Sequence, residues 1–134
     1  MRTVLFICVG NSARSQMAEG LFNSLAPPGW RAKSAGTTSA SSISREAVVV
    51  MKEKGIDISK NKPKTLTKDM LGKADHVISM GCGIDLCPYN LYKNVVDWGI
   101  EDPAGQPVDN FRKVRDEIEE KVRRRVEEIT ASTQ

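Results

Sequence analysis

The residues of this chain that are most able to do chemistry lie close to its N-terminus, between Cys8 and Ser15. A cysteine thiolate is a strong nucleophile, and an arginine such as Arg14 binds an oxyanion through two parallel hydrogen bonds. An apolar run precedes Cys8 and a helical pattern begins at Ser15, so this stretch predicts a strand, a tight loop and a helix. We therefore predict an oxyanion-binding loop made by Val9, Gly10, Asn11, Ser12, Ala13, Arg14 and Ser15.

The predicted loop would place Cys8 where a thiolate is favoured. Unpaired backbone N–H groups ahead of a helix, and the positive end of the helix dipole, attract negative charge. Gly10 and Asn11 tolerate the backbone dihedrals that such a loop needs. Arg14 would add positive charge, and Ser15 can donate a hydrogen bond to the sulfur. The hypothesis is a Cys8 nucleophile that attacks a bound tetrahedral oxyanion. A buried strand cysteine without chemistry is the alternative that this stretch alone leaves open.

The composition is that of an ordinary globular chain. Its 134 residues fit a single domain, 1–134, and the net charge at pH 7 is +3. The most basic run, from Lys121 to Arg125, alternates with glutamates at helical spacing, which indicates a solvated helix face and no nucleic-acid partner. No segment is long enough to span a membrane and none has the pattern of a signal peptide. We expect a cytoplasmic monomer whose cysteines are thiols.

Strand and helix patterns alternate along the chain. Apolar runs predict strands at residues 4–7, 30–34, 75–80 and 94–98, and helical spacing predicts helices at 15–22, 44–55, 67–71 and 111–129. We expect an α/β fold with one four-stranded parallel sheet and helices on both faces. Because ligands bind beyond the carboxyl ends of parallel strands, Cys8, Cys82 and Asp102 should meet at one edge. The only histidine, His76, is expected to begin a strand; no metal site and no cofactor are predicted.

Asp102 and two further cysteines extend this constellation. Asp102-Pro103 is typical of a plain turn, but beyond the fourth strand its carboxyl is placed to protonate an oxygen that leaves an anion bound at Cys8. Cys82 and Cys87 are too far apart in a regular helix to form a disulfide, so a bridge between them requires that the segment unwinds. Hydrolysis of a phosphate ester needs no additional thiols, whereas a reaction that consumes two electrons does. The residues therefore favour a reductase over a phosphatase.

Three motifs resemble the thioredoxin-coupled arsenate reductases, which share the fold of the low-molecular-weight tyrosine phosphatases: Cys8-Val-Gly-Asn-Ser-Ala-Arg-Ser-Gln-Met-Ala-Glu-Gly20, Met80-Gly-Cys-Gly and Glu101-Asp-Pro-Ala-Gly105. The resemblance implies that Cys8 attacks arsenate while Asp102 protonates the departing hydroxide. It implies that Cys82 then attacks the Cys8–arsenic adduct and releases arsenite, and that Cys87 resolves the Cys8–Cys82 disulfide. Thioredoxin or a similar thiol donor would reduce the final Cys82–Cys87 disulfide.

The chain departs from these relatives at two places. Ala13 stands where several of them carry a further cysteine outside the catalytic trio. Some of them bind potassium behind the anion loop, at positions that correspond here to Asn11, Glu19, Ser34 and Lys64. Because the ammonium group of Lys64 would take the place of the cation and repel a metal ion, we predict no potassium requirement.

Two other functions stay open from the sequence. A low-molecular-weight protein tyrosine phosphatase would need only Cys8, Arg14 and Asp102. Such phosphatases usually wall the site with aromatic side chains after the Asp-Pro pair, where this chain has Ala104 and Gly105. A non-catalytic oxyanion-binding or redox-sensing protein would retain the site without turnover.

Overall fold

The computed structural model describes residues 1–81 and 95–132, in which strands and helices follow the predicted order. The strands are β1 (Arg2–Cys8), β2 (Trp30–Gly36), β3 (His76–Ser79) and β4 (Val95–Asp97). The helices are α1 (Arg14–Leu25), α2 (Arg45–Lys52), α3 (Lys68–Lys73) and α4 (Val108–Ser132). The predicted elements are confirmed, with ends that differ by a few residues from the sequence pattern.

The strands form a parallel sheet in the order β2-β1-β3-β4. In the central strand β1, Cys8 pairs with Gly36 of β2, and Ile7 pairs with Ser79 of β3. The chain first moves from β1 to β2 and then crosses to the other side of β1. A crevice is expected beyond the carboxyl end of the strand at which the order reverses, and Cys8 is the residue at that end.

Helices cover both faces of β1, as the apolar run of this strand predicts. Phe6 is fully buried, and its ring centroid lies 6.1 Å from that of Phe22 in α1 and 5.6 Å from that of Trp98. Leu5 points to the opposite face because side chains alternate along a strand, and it lines a cavity with Met70 of α3. Both α1 and α2 contact α4. The predicted four-stranded parallel sheet with helices on both faces is therefore confirmed.

The residues that begin the predicted helices 44–55 and 67–71 act as N-caps in the structure. The hydroxyl of Ser44 accepts a hydrogen bond from the backbone N–H of Ala47, and that of Thr67 accepts one from Met70, so both residues cap the helices that follow them. His76 is the first residue of β3, as expected for a residue that begins a strand.

The long C-terminal helix α4 is amphipathic in the predicted register. On its outer face, Arg123 pairs with Glu119 at 3.0 Å and Arg124 pairs with Glu120 at 2.8 Å. These pairs confirm that the basic run belongs to a solvated helix face. Within residues 1–81 and 95–132, no helix is both long enough and apolar enough to cross a membrane. The residues on the buried face of α4 are Phe111, Val114, Ile118, Val122 and Ile129.

Glu53, at the C-terminal end of α2, joins this helix to α4. Arg112 donates to its Oε2 at 2.8 Å and Arg115 donates to its Oε1 at 2.7 Å. The hydrogen bond from Arg112, followed by that from Arg115, lowers the pKa of Glu53 from 4.5 to about 2. The carboxylate is therefore held in its charged form by the two arginines of α4.

We expect Glu53→Gln to lower the urea midpoint of unfolding at neutral pH, because two charge-assisted hydrogen bonds become neutral ones. The folded pKa lies below the unfolded one, so Glu53 stabilises the fold fully above pH 4.5 and loses its contribution as the pH falls towards about 2. The midpoint difference between the native protein and Glu53→Gln should shrink over this interval. Glu117→Gln, an exposed position on α4, is the matched control. A difference that stays constant with pH would contradict this role of Glu53.

Candidate active site

The loop of residues 9–13 joins β1 to α1, and its carbonyl groups point away from the crevice. The carbonyl oxygens of residues 8, 9, 10 and 12 accept hydrogen bonds of 2.8–3.1 Å from the backbone N–H groups of residues 37, 38, 40 and 44. In a trans peptide, the N–H group points opposite to the carbonyl before it. The N–H groups of residues 9, 10, 11 and 13 are therefore directed towards the crevice, which is the arrangement that binds an oxyanion.

Two backbone features allow the loop to lie this close to the sheet. Asn11 has a φ of 53°, in the left-handed region that asparagine tolerates better than most residues. Gly36, at the end of β2, lies against the loop: a Cβ atom there would be 2.5 Å from the carbonyl oxygen of Val9 and 2.9 Å from the amide nitrogen of Asn11. A side chain at position 36 would therefore displace the loop.

The sulfur of Cys8 is placed to accept two hydrogen bonds. The backbone N–H of Asn11 donates to it at 3.2 Å, and the hydroxyl of Ser15 lies 2.8 Å away. The direction of the second bond follows from the Asn11 side chain, whose Oδ1 accepts from the backbone N–H of Lys64 at 2.8 Å. Its Nδ2 must then face the Ser15 oxygen, to which it donates at 2.7 Å. The Ser15 proton is thereby left to point at the Cys8 sulfur, so the sulfur accepts two hydrogen bonds.

Gln16 is hydrogen-bonded to the Asn11 amide and is itself hydrogen-bonded to Asn61, and sequence reasoning missed both. The Gln16 side chain is fully buried; its Nε2 donates to Asn11 Oδ1 at 2.9 Å, and its Oε1 accepts from Asn61 Nδ2 at 3.1 Å. Gln16 could have been noticed as a polar residue beside the apolar positions of α1. Asn61 gave no signal, because its partner is distant in the sequence.

Arg14 is only 5% exposed, and its guanidinium group is fixed along one side. Its Nη1 donates to the carbonyl oxygens of Met80, at 2.5 Å, and Ile100, at 2.9 Å. Each hydrogen of Nη1 therefore has a backbone acceptor. The edge formed by Nε and Nη2 is left for an oxyanion, and this edge matches two oxygens at once.

Asp102 lies on the other side of the same opening. Its Oδ2 is 3.7 Å from Arg14 Nη2, its Oδ1 accepts from the backbone N–H of Ala104 at 3.0 Å, and its side chain is 53% exposed. The carboxyl is thus anchored near the arginine while it keeps contact with solvent. The pocket between them has a volume of about 160 Å³ and is lined by Cys8, Val9, Gly10, Ser12, Ala13, Arg14, Asp102 and Ala104.

The predicted site residues that the structure describes therefore lie together. Cys8, Arg14 and Asp102 line one pocket, Ser15 contacts the Cys8 sulfur, and the loop surrounds them. Cys82 and Cys87 fall within residues 82–94, which lie outside the described residues.

The predicted resemblance is supported by comparison with known proteins. The family model for the low molecular weight phosphotyrosine protein phosphatases matches residues 3–134. The chain belongs to this family. It is 40% identical, over 121 residues, to a protein named arsenate reductase 2 from Staphylococcus haemolyticus, with 87% of this chain and 90% of the relative covered.

Solved structures of this family include proteins named as phosphatases and as reductases. The YwlE arginine phosphatase from Geobacillus stearothermophilus has a TM-score of 0.90 and 32% identity, over 98% of this chain and 95% of that chain. A thioredoxin-dependent arsenate reductase from Corynebacterium glutamicum has a TM-score of 0.82 and 36% identity, over 98% of this chain and 63% of that chain. The fold is therefore shared by proteins named for different reactions.

The side chains of Asn11 and Ser34, which the resemblance matches to a potassium site, make hydrogen bonds within the protein. Asn11 Oδ1 accepts from both Gln16 and the Lys64 backbone, so both of its lone pairs are used. The Ser34 hydroxyl donates to Glu19 at 2.8 Å. Lys64 lines the same groove as Glu19 and brings a positive charge. The absence of a potassium requirement stays a prediction, and these hydrogen bonds are its physical basis.

We expect Gly36→Ala to weaken binding of inorganic phosphate by about tenfold or more, because the added Cβ pushes away the Val9 carbonyl and the Asn11 N–H and thereby turns backbone donors out of the pocket. Isothermal titration calorimetry would measure the affinity. Gly72→Ala in α3 is the matched control, since no atom lies within 4 Å of its added Cβ. Unchanged phosphate affinity in Gly36→Ala would contradict the close approach of β2 to the loop.

Proposed function

We propose that this protein reduces arsenate to arsenite and that it supplies the two electrons from its own cysteines. The observation that carries this proposal is the union of a doubly hydrogen-bonded cysteine, a clamped arginine and an acid in one small pocket. Arsenate is a tetrahedral oxyanion of the kind that such a pocket binds. The relative named arsenate reductase 2, which matches 87% of this chain, adds support.

The first step proposed is attack of the Cys8 thiolate on arsenic. The inward N–H groups of the loop and the free edge of Arg14 would bind the arsenate oxygens, and Asp102 would protonate the departing hydroxide, which leaves as water. A sulfur–arsenic bond forms and an arsenic–oxygen bond breaks, while arsenic remains pentavalent. Ser15 and Asn11 support this step because both donate to the sulfur when it is charged.

The second step proposed transfers the electrons. Cys82 attacks the Cys8 sulfur, the electron pair of the sulfur–arsenic bond passes to arsenic, and arsenite leaves as a Cys8–Cys82 disulfide forms. Cys87 then attacks Cys82, which frees the Cys8 thiolate and leaves a Cys82–Cys87 disulfide. The backbone N–H of Met80 donates to the carbonyl of Ile7, which precedes Cys8. Because Cys82 follows Met80 by only two residues in the sequence, this contact supports Cys82 as the first thiol to attack.

The proposed cycle ends with an external dithiol, which becomes oxidised as it reduces Cys82–Cys87. Thioredoxin is the donor proposed, by analogy with the Corynebacterium glutamicum relative that is named for its dependence on it. A cytoplasmic location, where cysteines stay reduced, fits this cycle. We propose that residues 1–134 act as a single domain and as a monomer, without nucleic acid or membrane.

A phosphatase is the second candidate, because Cys8, Arg14 and Asp102 would suffice for it. The similarity to the YwlE arginine phosphatase favours this possibility. Against a tyrosine phosphatase, Ala104 follows the Asp-Pro pair, and no aromatic side chain is found among the pocket-lining residues that the structure describes. A binding or sensing protein without turnover is the third candidate.

We expect Asp102→Asn to slow formation of the Cys8–arsenic adduct by roughly 10²–10⁴, because the amide keeps the shape of the carboxyl but cannot transfer a proton. Rapid-quench single-turnover kinetics would measure this step. Alkylation of Cys8 by iodoacetamide should change far less, since Asp102 makes no hydrogen bond to the sulfur. Cys8→Ser, which should abolish turnover, is the zero-activity control. An unaltered adduct rate in Asp102→Asn would leave Asp102-Pro103 as a turn only.

The order of the thiols separates the reductase from the phosphatase. We expect Cys87→Ser to complete one turnover and stop as a Cys8–Cys82 disulfide, because the thiol that frees Cys8 is missing. Cys82→Ser should stop before arsenite is released. In the native protein, one equivalent of arsenate should leave Cys82–Cys87 oxidised, which peptide mapping by mass spectrometry would detect. Sustained turnover of both single variants in a thioredoxin system, with hydrolysis of an aryl phosphate by each, would instead indicate a phosphatase.

A further inference from the structure

Asp97, the last residue of β4, makes an unusual set of contacts that the proposed reaction does not use. Its Oδ1 accepts three hydrogen bonds: from the Ser79 hydroxyl at 3.0 Å, from the backbone N–H of Gly81 at 2.6 Å and from that of Gly99 at 3.2 Å. These donors belong to two chain segments, one at the end of β3 and the turn that follows it, and one after β4. A single carboxylate oxygen therefore joins the ends of two neighbouring strands.

The joined segments both turn at a glycine. Gly81 has a φ of 88° and Gly99 has a φ of 62°, a backbone conformation that side chains other than glycine rarely adopt. Met80 precedes the first turn and Ile100 follows the second, so each lies one residue from a glycine held by Asp97. The direction of the carbonyl groups of Met80 and Ile100 thus depends on how the two turns are held together.

These two carbonyl groups are the ones that fix the arginine of the pocket. Both accept from the same nitrogen, Nη1 of Arg14, so their separation and direction set the plane of the guanidinium group. The plane of the guanidinium group in turn decides how its free edge, formed by Nε and Nη2, faces the pocket. A change at Asp97 would therefore reach the oxyanion through Met80, Ile100 and Arg14 without any direct contact.

We propose that Asp97 is a positioning residue, whose carboxylate joins the turns at Gly81 and Gly99 and thereby sets the two carbonyl oxygens that orient Arg14 towards a bound oxyanion. The inference rests on the proposed function in one respect, which is that Arg14 binds the oxyanion. It does not require any redox step.

Electrostatics and positioning predict opposite effects on anion binding. Asp97 is negatively charged, so Coulomb repulsion alone predicts that its removal leaves phosphate binding unchanged or makes it tighter. If Asp97 orients Arg14, its removal weakens binding, because the bidentate fit of the guanidinium group is lost. The sign of the change therefore distinguishes the two effects.

The experiment measures the affinity of the reduced protein, residues 1–134, for inorganic phosphate by isothermal titration calorimetry. Asp97→Ala is expected to raise the dissociation constant for phosphate about tenfold, because a misoriented Arg14 loses one well-formed hydrogen bond to the anion. Asp97→Asn retains an acceptor oxygen and is expected to stay within about threefold of the native value. Asp57→Ala is the matched control: Asp57 Oδ1 also accepts two hydrogen bonds, both from Ser59, but it holds only a local turn and should leave the affinity unchanged.

A second readout separates positioning from general loosening of the site. Alkylation of Cys8, followed by peptide mapping, should change far less in Asp97→Ala than the phosphate affinity does, because the donors to the sulfur are Ser15 and Asn11. Native or tighter phosphate binding by Asp97→Ala would overturn the proposal. Equal weakening in Asp97→Asn would also overturn it, since the acceptor oxygen that asparagine retains would then not preserve the orientation of Arg14.

If Asp97→Ala does not fold, Asp97→Glu provides the same test, because it keeps the charge and moves the acceptor oxygens by one methylene group. Weaker phosphate binding is expected, and native affinity would overturn the proposal. Phosphate binding is independent of the reductase chemistry. A native protein that binds phosphate but produces no arsenite would remove the proposed function, and the Asp97 variants would still decide the role of Asp97.

Discussion

The structure depends on one constraint of the peptide group: a loop that turns its N–H groups inward must turn its carbonyl groups outward. Those carbonyls need donors, and residues 37–44 provide them through four backbone hydrogen bonds behind the loop. The end of β2 brings this segment into place, and Gly36 allows the contact because it has no side chain. The parallel pairing of β1 with β2 is therefore a requirement of the anion pocket as well as of the sheet.

The pocket also demands that a charged side chain be buried. Arg14 is almost completely removed from solvent, and an arginine in such a place is tolerated only if its donors are satisfied. Met80 and Ile100 satisfy one nitrogen with backbone oxygens, which carry partial negative charge but leave the guanidinium group with its full positive charge. Asp102 balances that charge only partly, since it is 3.7 Å away and half exposed. The remaining positive charge is what an oxyanion would neutralise.

Much of this site could be predicted from the sequence because its parts follow one another closely. Cys8, the loop and Arg14 occupy a single strand-loop-helix unit, so spacing and residue type suggested an anion loop, and the rest of the chain was needed to prefer it over a buried strand cysteine. Asp102 was found because its Asp-Pro turn follows the last strand, and parallel strands end at the same edge. The fold was predicted from the same alternation of strand and helix patterns.

The parts that the sequence did not reveal are those that act across long separations or through the backbone. Residues 37, 38 and 40 lie between the predicted strand 30–34 and the predicted helix 44–55. Nothing in their side chains indicates that they support the anion loop, because they do so through N–H groups that every residue except proline has. Gln16 meets Asn61, and Asp97 meets Gly81, through contacts that no local pattern encodes. Such contacts become visible only when the sheet order is known, since that order decides which strand ends are neighbours.

The pocket takes its parts from segments that are far apart along the chain, and this links its existence to folding as a whole. Lys64 orients Asn11, Met80 and Ile100 hold Arg14, and residues 37–44 hold the loop, so none of these groups is in place in the unfolded chain. An anion in the pocket therefore binds the native state alone. By mass action it stabilises the entire fold, by about 2.7 kcal/mol when its concentration is 100 times the dissociation constant. An oxyanion that occupies the pocket would in this way also protect the protein from unfolding and proteolysis.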